Sequence, residues 1–241
     1  MDKNLRSLSL LAMIALVVLT SACSGMTRTG ELQHKSETIE LQGAEEADVH
    51  LRMGAGQLTI TGGTDALAEA DFTYNVAAWQ PTLDYVVSGE QGKGELWIEQ
   101  PEVKNLTLDS YRYEWDVTLN DEIPLTLDVK LGAGESKLDV STLALTQLDL
   151  EIGAGGVEID LTGERTRDVD VSIRGGIGEA VVLLPVNVGV KATASGGLGE
   201  VTVSDLTQEG DIYVNDAYGE SEATITLDIE GGIGGITLKA K

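Results

Sequence analysis

The sequence predicts an all-β protein, a single-chain β-solenoid with coils of about 21 residues and a Gly-x-Gly unit at each corner. Outside the first twenty residues, apolar residues alternate with polar ones, the period of half-buried strands. The Gly-x-Gly unit recurs with its first glycine at positions 132, 153, 176 and 197, which are 21, 23 and 21 residues apart. An antiparallel β meander or sandwich is the alternative, since glycine is equally common in hairpin turns.

The first segment, residues 1–22, is predicted to be a lipoprotein signal peptide. A basic start precedes an apolar stretch at 8–19, which is long enough for a signal core and too short to span a bilayer. Thr20-Ser-Ala-Cys23 then resembles the bacterial lipoprotein box, with Leu19 one place earlier than that pattern prefers. The resemblance implies that Cys23, the only cysteine of the chain, becomes an acylated N-terminus. The alternative is an ordinary signal peptide with a chance cysteine.

Three further segments follow the signal. Residues 23–43 are polar and are predicted to be a flexible tether. Residues 44–124 are predicted to form an N-terminal β section or cap, built differently from the repeats although it holds the Gly-x-Gly copy at Gly54. Residues 125–241 are predicted to form the repeat solenoid, with a loop excursion within 204–223 where turn-forming residues cluster.

The strongly acidic composition limits the possible partners. The chain has 40 Asp and Glu against 16 Lys and Arg, a net charge of −24. Nucleic acid is therefore not expected as a partner, because there is no basic patch to neutralise phosphates. The charge fits a solvated surface that protects strand edges; the alternative is cation binding or a cationic partner. Gly-Gly-x-Gly does not match calcium-binding nonapeptides, because their Asp is missing, and we expect no cofactor or metal.

The aromatic residues mark a possible binding surface. Tyr111, Tyr113 and Trp115 share the alternation of one strand, and Tyr213 and Tyr218 lie in the excursion. One interpretation is a core, or a cap on the open end of the solenoid. The other is a platform on which aromatic rings stack against sugars.

We do not expect an enzyme. The chain has two histidines and no Gly-x-Ser-x-Gly elbow, so nucleophilic serine catalysis lacks support. The pairs Glu158/Asp160 and Asp168/Asp170 could serve general acid and base work in principle, but strand alternation already requires polar residues there. A carbohydrate-active enzyme remains a remote alternative.

A family resemblance is carried by residues 113–128, by Gly132–Glu135 with Leu138–Leu143, and by 148–157. These stretches resemble the toast-rack family of bacterial envelope proteins, and the likeness extends over about 44–241. The family is similar to adhesin-like β-solenoids and to the C-terminal domains of LiaF-type envelope-stress regulators. The resemblance implies strands stacked like slices in a rack. It carries no catalytic residue.

The function expected from the sequence is a non-catalytic, lipid-anchored cell-envelope protein that acts as a surface scaffold or an adhesin-like binding module. The alternative is an envelope-stress modulator that binds a membrane signalling protein. The expected location is extracytoplasmic and membrane-anchored. The expected partners are membrane lipid, through acylated Cys23, and an envelope protein or glycan.

Overall fold

The computed structural model describes residues 29–89, 92–102 and 110–241, and this part of the chain is almost entirely β-structure. One short 3₁₀ helix spans Ala77–Trp79. The described strands are β1 Gln33–Ile39, β2 Glu46–Thr64, β3 Ala68–Tyr74, β4 Thr82–Ser88, β5 Lys93–Glu99, β6 Tyr113–Asn120, β7 Leu125–Asp139, β8 Leu145–Asp160, β9 Val169–Leu184, β10 Gly189–Leu198, β11 Val201–Ser204, β12 Thr207–Glu209, β13 Ile212–Val214 and β14 Thr224–Ala240.

Each of the five longest strands passes through a Gly-x-Gly corner, where the alternation of buried residues changes phase. In β7, Val129 and Leu131 are buried before the corner, and Ser136 and Leu138 are buried after it. The odd positions thus face inward first and the even positions afterwards, with Gly134 at φ 141° between them. Residues from before and after the corners belong to one hydrophobic cluster. The half-strands therefore form two layers, the first before the corner and the second after it, with the core between them.

The corner strands stack in parallel, which confirms the predicted coils and excludes an antiparallel arrangement for them. The order is β2, β7, β8, β9, β14 and β10, with β11 continuing the last coil on the second layer. The final strand, β14, lies between β9 and β10, so the stack does not follow chain order. The predicted excursion within 204–223 contains β12 and β13, which extend the first layer beyond β10.

The N-terminal section differs from its prediction in two respects. β2 pairs in parallel with β7 from Ala47 to Ile60, so the copy at Gly54 is a full coil of the stack and not part of a separately built section. Within the predicted tether, Gln33–Ile39 forms β1, which pairs antiparallel with the edge of β3. Backbone hydrogen bonds to a free edge are available to a strand of low apolar content. β6, β3 and β1 flank the second layer, and β5 and β4 flank the first.

Glycines form two ladders along the corners because adjacent coils approach too closely for a side chain. A Cβ atom on the second glycine of a unit would overlap the carbonyl oxygen of the matching glycine in the neighbouring coil. This holds for Gly134 on Gly56, Gly155 on Gly134, Gly178 on Gly155, Gly234 on Gly178 and Gly199 on Gly234. The first glycines form a second ladder in the same order. The ladders explain why the Gly-x-Gly unit recurs in the sequence.

Two buried asparagines and a half-buried arginine hold the loops at the ends of the strands away from the corners. The Asn120 side chain donates to the carbonyls of Thr64, Asp65 and Ala66 and accepts two backbone N–H groups. The Asn215 amide donates to two carbonyls and accepts from the Val190 N–H. The Arg165 guanidinium donates to three carbonyls of the loop between β7 and β8.

Candidate binding surface

Tyr113 and Trp115 lie in the core, so the prediction that they belong to a binding surface is wrong. They are 2% and 0% exposed. The Trp115 ring packs edge-on against Phe72 with centroids 5.4 Å apart, and the Tyr113 hydroxyl donates to the Trp79 carbonyl at 2.7 Å. Burial raises the pKa of Tyr113 above its ordinary value. These rings fill the β2 end of the core, as the alternative core interpretation required.

The other predicted aromatic residues reach the surface but do not converge. Tyr111 is 41% exposed and packs edge-on against Trp79 before β6. Tyr213 is half-buried in β13, and Tyr218 is 37% exposed in the turn after it. β6 and β13 lie near opposite ends of the sheet order, so these residues cannot form a single platform.

The remaining predicted sites stay predictions. Cys23 lies outside the described residues. In the described part of the chain, no cluster of three or more potential metal ligands was found. No helix among the same residues is long and apolar enough to cross a bilayer.

Three of the four carboxylates that could serve as acid–base pairs have structural contacts. Glu158 lies 3.7 Å from the Lys137 ammonium, and Asp160 accepts hydrogen bonds from Thr162 and Lys241. Asp168 accepts the Thr224 N–H at 2.8 Å.

A charged and aromatic cluster lies on the outer face of the first layer, where β5, β2 and β7 are neighbours. The His50 ring stacks on Trp97 with centroids 4.0 Å apart, and the Arg52 guanidinium carbon lies 5.2 Å from the Trp97 ring centroid. The Asp128 carboxylate pairs with Arg52 and lies 3.3 Å from His50 Nδ1. Burial opposes ionisation of Asp128, but hydrogen bonds from Arg52 and His50 outweigh it and hold the pKa of Asp128 below its ordinary value.

An open groove runs from this cluster along the first-layer side of the corners. It is lined by cations and acids, including Arg52, Lys130, Glu151 and Arg174. Lys130 pairs with Glu151 at 3.0 Å, and Arg174 lies 3.6 Å from Glu230. Because charges of both signs line the groove and remain partly exposed, it presents both donors and acceptors to a polar ligand.

A line of exposed apolar side chains lies on the outside of the last three corners. Ile177, Ile233 and Leu198 are 59%, 52% and 71% exposed. Ile233 pairs in register with both Ile177 and Leu198, so the three are adjacent. We call these three residues the corner ridge. The sequence does carry a signal for the corner ridge. The middle residue of the Gly-x-Gly unit is Ala in the first three coils and Ile or Leu in the last three.

Comparison with protein families identifies this architecture. The model described as the N-terminal domain of toast_rack, DUF2154, matches residues 28–183, well over half of the chain. This chain belongs to the toast-rack family. A second model, described as cell wall-active antibiotics response LiaF, C-terminal, matches residues 131–238 of the toast-rack protein.

A similar solved structure agrees with the family assignment. A candidate cell adhesion protein from Clostridium sporogenes is 37% identical over 88% of this toast-rack chain and 100% of its own, with a TM-score of 0.83. A candidate adhesin from Bacteroides fragilis is 10% identical over 88% of this chain and 99% of its own, with a TM-score of 0.36. Comparison with curated proteins found no match.

Proposed function

We propose that this toast-rack protein is a non-catalytic, lipid-anchored protein of the bacterial cell envelope that acts as an adhesin-like binding module. The observation that carries the proposal is its 37% identity to the candidate cell adhesion protein from Clostridium sporogenes over that protein's whole length. The fold supports a binding role, because a stack of coils presents long ordered surfaces without needing a catalytic centre.

The lipid anchor is supported by the N-terminal sequence. The apolar core at 8–19 and the residues before Cys23 fit a lipoprotein signal. Two or three acyl chains on Cys23 would hold the protein firmly to a membrane, whereas its acidic surface would not. Because β1 begins at Gln33, the tether can include at most residues 23–32, about half the predicted length. The folded domain would then lie close to the lipid.

The groove beside the corners is the surface we propose for contact with an envelope glycan. Arg52, Lys130 and Arg174 supply donors there, and Glu151 supplies an acceptor. Sugar hydroxyls need both, and the shallow shape suits a long polymer.

Binding of purified protein to insoluble peptidoglycan and cell-wall polysaccharide tests this proposal. We expect the Cys23→Ser protein, starting at residue 23, to be retained. The variant Lys130→Gln/Arg174→Gln should lose most of that retention. The matched control, Lys137→Gln/Arg167→Gln, removes the same charge from outside the groove and should bind like the parent. Equal retention of both variants, or none of the parent, would contradict the proposal.

A second candidate function is supported by the match of residues 131–238 to the LiaF C-terminal model. In that case the protein would modulate an envelope-stress pathway by binding a membrane signalling protein. Capture from detergent-solubilised envelope with the Cys23→Ser protein separates the two candidates. Recovery of a sensor kinase or its partner favours the second, and retention by glycan alone favours the first. Hydrolysis of a polysaccharide that is abolished by Asp168→Asn or Glu158→Gln would contradict both.

A further inference from the structure

The large apolar residue of each corner lies inside the fold in the first three coils and outside it in the last three. In the first three coils, Met53, Leu131 and Ile152 are buried just before Gly-Ala-Gly. In the last three coils glycine stands at the equivalent positions, and the middle residue of the unit becomes Ile177, Ile233 or Leu198. The change leaves a small cavity of about 30 Å³ inside the corner of β9 and β14.

The core does not require this exchange. A Cβ atom on Gly175 would meet no atom within 4 Å, so a larger inward residue has room there. The Ile177, Ile233 and Leu198 side chains remain more than half exposed in the fold. Exposed apolar residues that are aligned and contiguous mark a contact surface, whereas scattered ones do not.

The described chain begins beside the same corner line. The Gly30 N–H donates to the Asn75 carbonyl at 2.6 Å, just after β3. Tyr74, at the end of β3, pairs with Tyr113, and the Tyr113 carbonyl lies against Gly56 of the first corner. Seven residues lead from Cys23 to Gly30, and they span at most about 25 Å. An anchor on Cys23 would therefore hold the β2 end of the corner line near the membrane, and the ridge lies farther along the same line, on β9, β14 and β10.

The size of the ridge favours lipid over a protein partner. A stable protein interface needs about 800 Å² and 20–30 residues on each side. The corner ridge offers three apolar side chains flanked by glycines, in a line about 10 Å long at the spacing of neighbouring strands. A lipid surface needs no shape complementarity, so a few projecting apolar side chains suffice. The neighbouring carboxylates Glu179 and Glu230 are exposed, and Arg174, 3.6 Å from Glu230, offsets one of these two negative charges. The remaining negative charge favours a zwitterionic surface over an anionic one.

We propose that the corner ridge inserts into the surface of a zwitterionic membrane and orients the domain with its corner line along the bilayer. The proposal rests on the proposed membrane location but not on acylation itself. Insertion at the membrane would be strengthened by tethering, because a tethered site has a high effective concentration of lipid. The two layers and the groove beside the corners would then be held in a fixed orientation to the bilayer.

The test uses the chain from residue 23 with Cys23→Ser and an N-terminal histidine tag, bound to phosphatidylcholine vesicles that contain a nickel-chelating lipid. Leu198→Cys supplies the single site for a polarity-sensitive fluorophore. Val186→Cys is the matched control, because Val186 is 55% exposed and lies in the loop after β9, away from the corners. Nitroxide-labelled lipids report depth.

We expect the fluorophore at position 198 to shift to shorter wavelength on vesicles and to be quenched by nitroxide lipid. The fluorophore at position 186 should show neither change. Adding Ile177→Ser and Ile233→Ser should reduce quenching at position 198 to the level of the control. Equal quenching at both positions, or none at position 198, would overturn the proposal. A wavelength shift without vesicles that grows with protein concentration would also overturn it, in favour of a second copy. Since the tag replaces the acyl chains, any of these results leaves acylation of Cys23 to its own test.

Discussion

Gly155 lies directly against the carbonyl oxygen of Gly134 in the neighbouring coil, and its φ is 133°. A Cβ atom on Gly155 would overlap that oxygen, and the backbone conformation is one that other residues rarely adopt. The contact recurs at each corner of the stack. It therefore ties the spacing of the coils to the absence of a side chain at one position in every coil.

Gly155→Ala is expected to destabilise the fold by at least about 3 kcal/mol, because strain at a special φ and a clash with fixed backbone act together. Gly175→Ala is the matched control, since its Cβ atom has open space. It should lie between neutral and about 1 kcal/mol more stable, because alanine reduces the freedom of the unfolded chain. Urea unfolding followed by circular dichroism measures both. Similar losses of stability in the two variants would contradict the ladder as the cause of the repeat.

Much of the fold follows from local sequence. The alternation in β7 and β8 places apolar residues on one face, and the spacing of Gly132 and Gly153 sets the length of a coil. The insertion of β14 between β9 and β10 is not encoded locally, because parallel pairing depends on which edge remains open after the excursion. β1 is likewise not predictable from its own sequence, since an edge strand needs little apolar content to pair.

Arg165→Met is expected to cost roughly 2–4 kcal/mol of folding free energy. The Arg165 guanidinium donates to the carbonyls of Val140, Ser141 and Leu143, and methionine keeps the stem while it leaves those carbonyls without these donors. Burial lowers the pKa of Arg165, but an arginine remains charged at neutral pH. The control, exposed Arg167→Met, should change stability by less than about 0.5 kcal/mol. Thermal unfolding measures the loss of stability in both variants. An equal loss would contradict the role of Arg165 in holding the loop between β7 and β8.

Asp128→Asn is expected to reduce stability at neutral pH and to matter less in acid. The pKa of Asp128 is lower in the folded chain than its ordinary value of about 4. Its stabilising contribution is therefore fully present above about pH 4 and disappears as the pH falls through the folded-state pKa. The measurement is the difference in unfolding free energy between parent and variant at pH 7 and pH 3. Asp170→Asn corrects for the general loss of one carboxylate. A difference that stays constant or grows in acid would contradict the assigned pairing with Arg52 and His50.

The candidate surface was less predictable than the fold. Alternation showed that Tyr113 and Trp115 share a face but could not show that this face is inward, because the partner strands β2 and β3 come from distant sequence. The His50–Trp97 stack arises only when β5 and β2 become neighbours. The groove needs β2, β7, β8 and β9 side by side, and β2 is distant in the sequence from the other three. The corner ridge is visible in the sequence as the change from Ala154 to Ile177 in the middle of the Gly-x-Gly unit. The exposure of Ile177 could not be predicted, because it depends on the two-layer arrangement.

The most direct test of the central claim is intact-mass and N-terminal peptide analysis of the protein purified from the membranes of cells that make the full chain. The account predicts a mature chain that begins at Cys23 and carries a thioether-linked diacylglycerol, with or without a third acyl chain. The Cys23→Ser variant should carry no lipid. A chain that retains Met1, begins at another residue, or has an unmodified Cys23 would contradict the account of a lipid-anchored envelope protein.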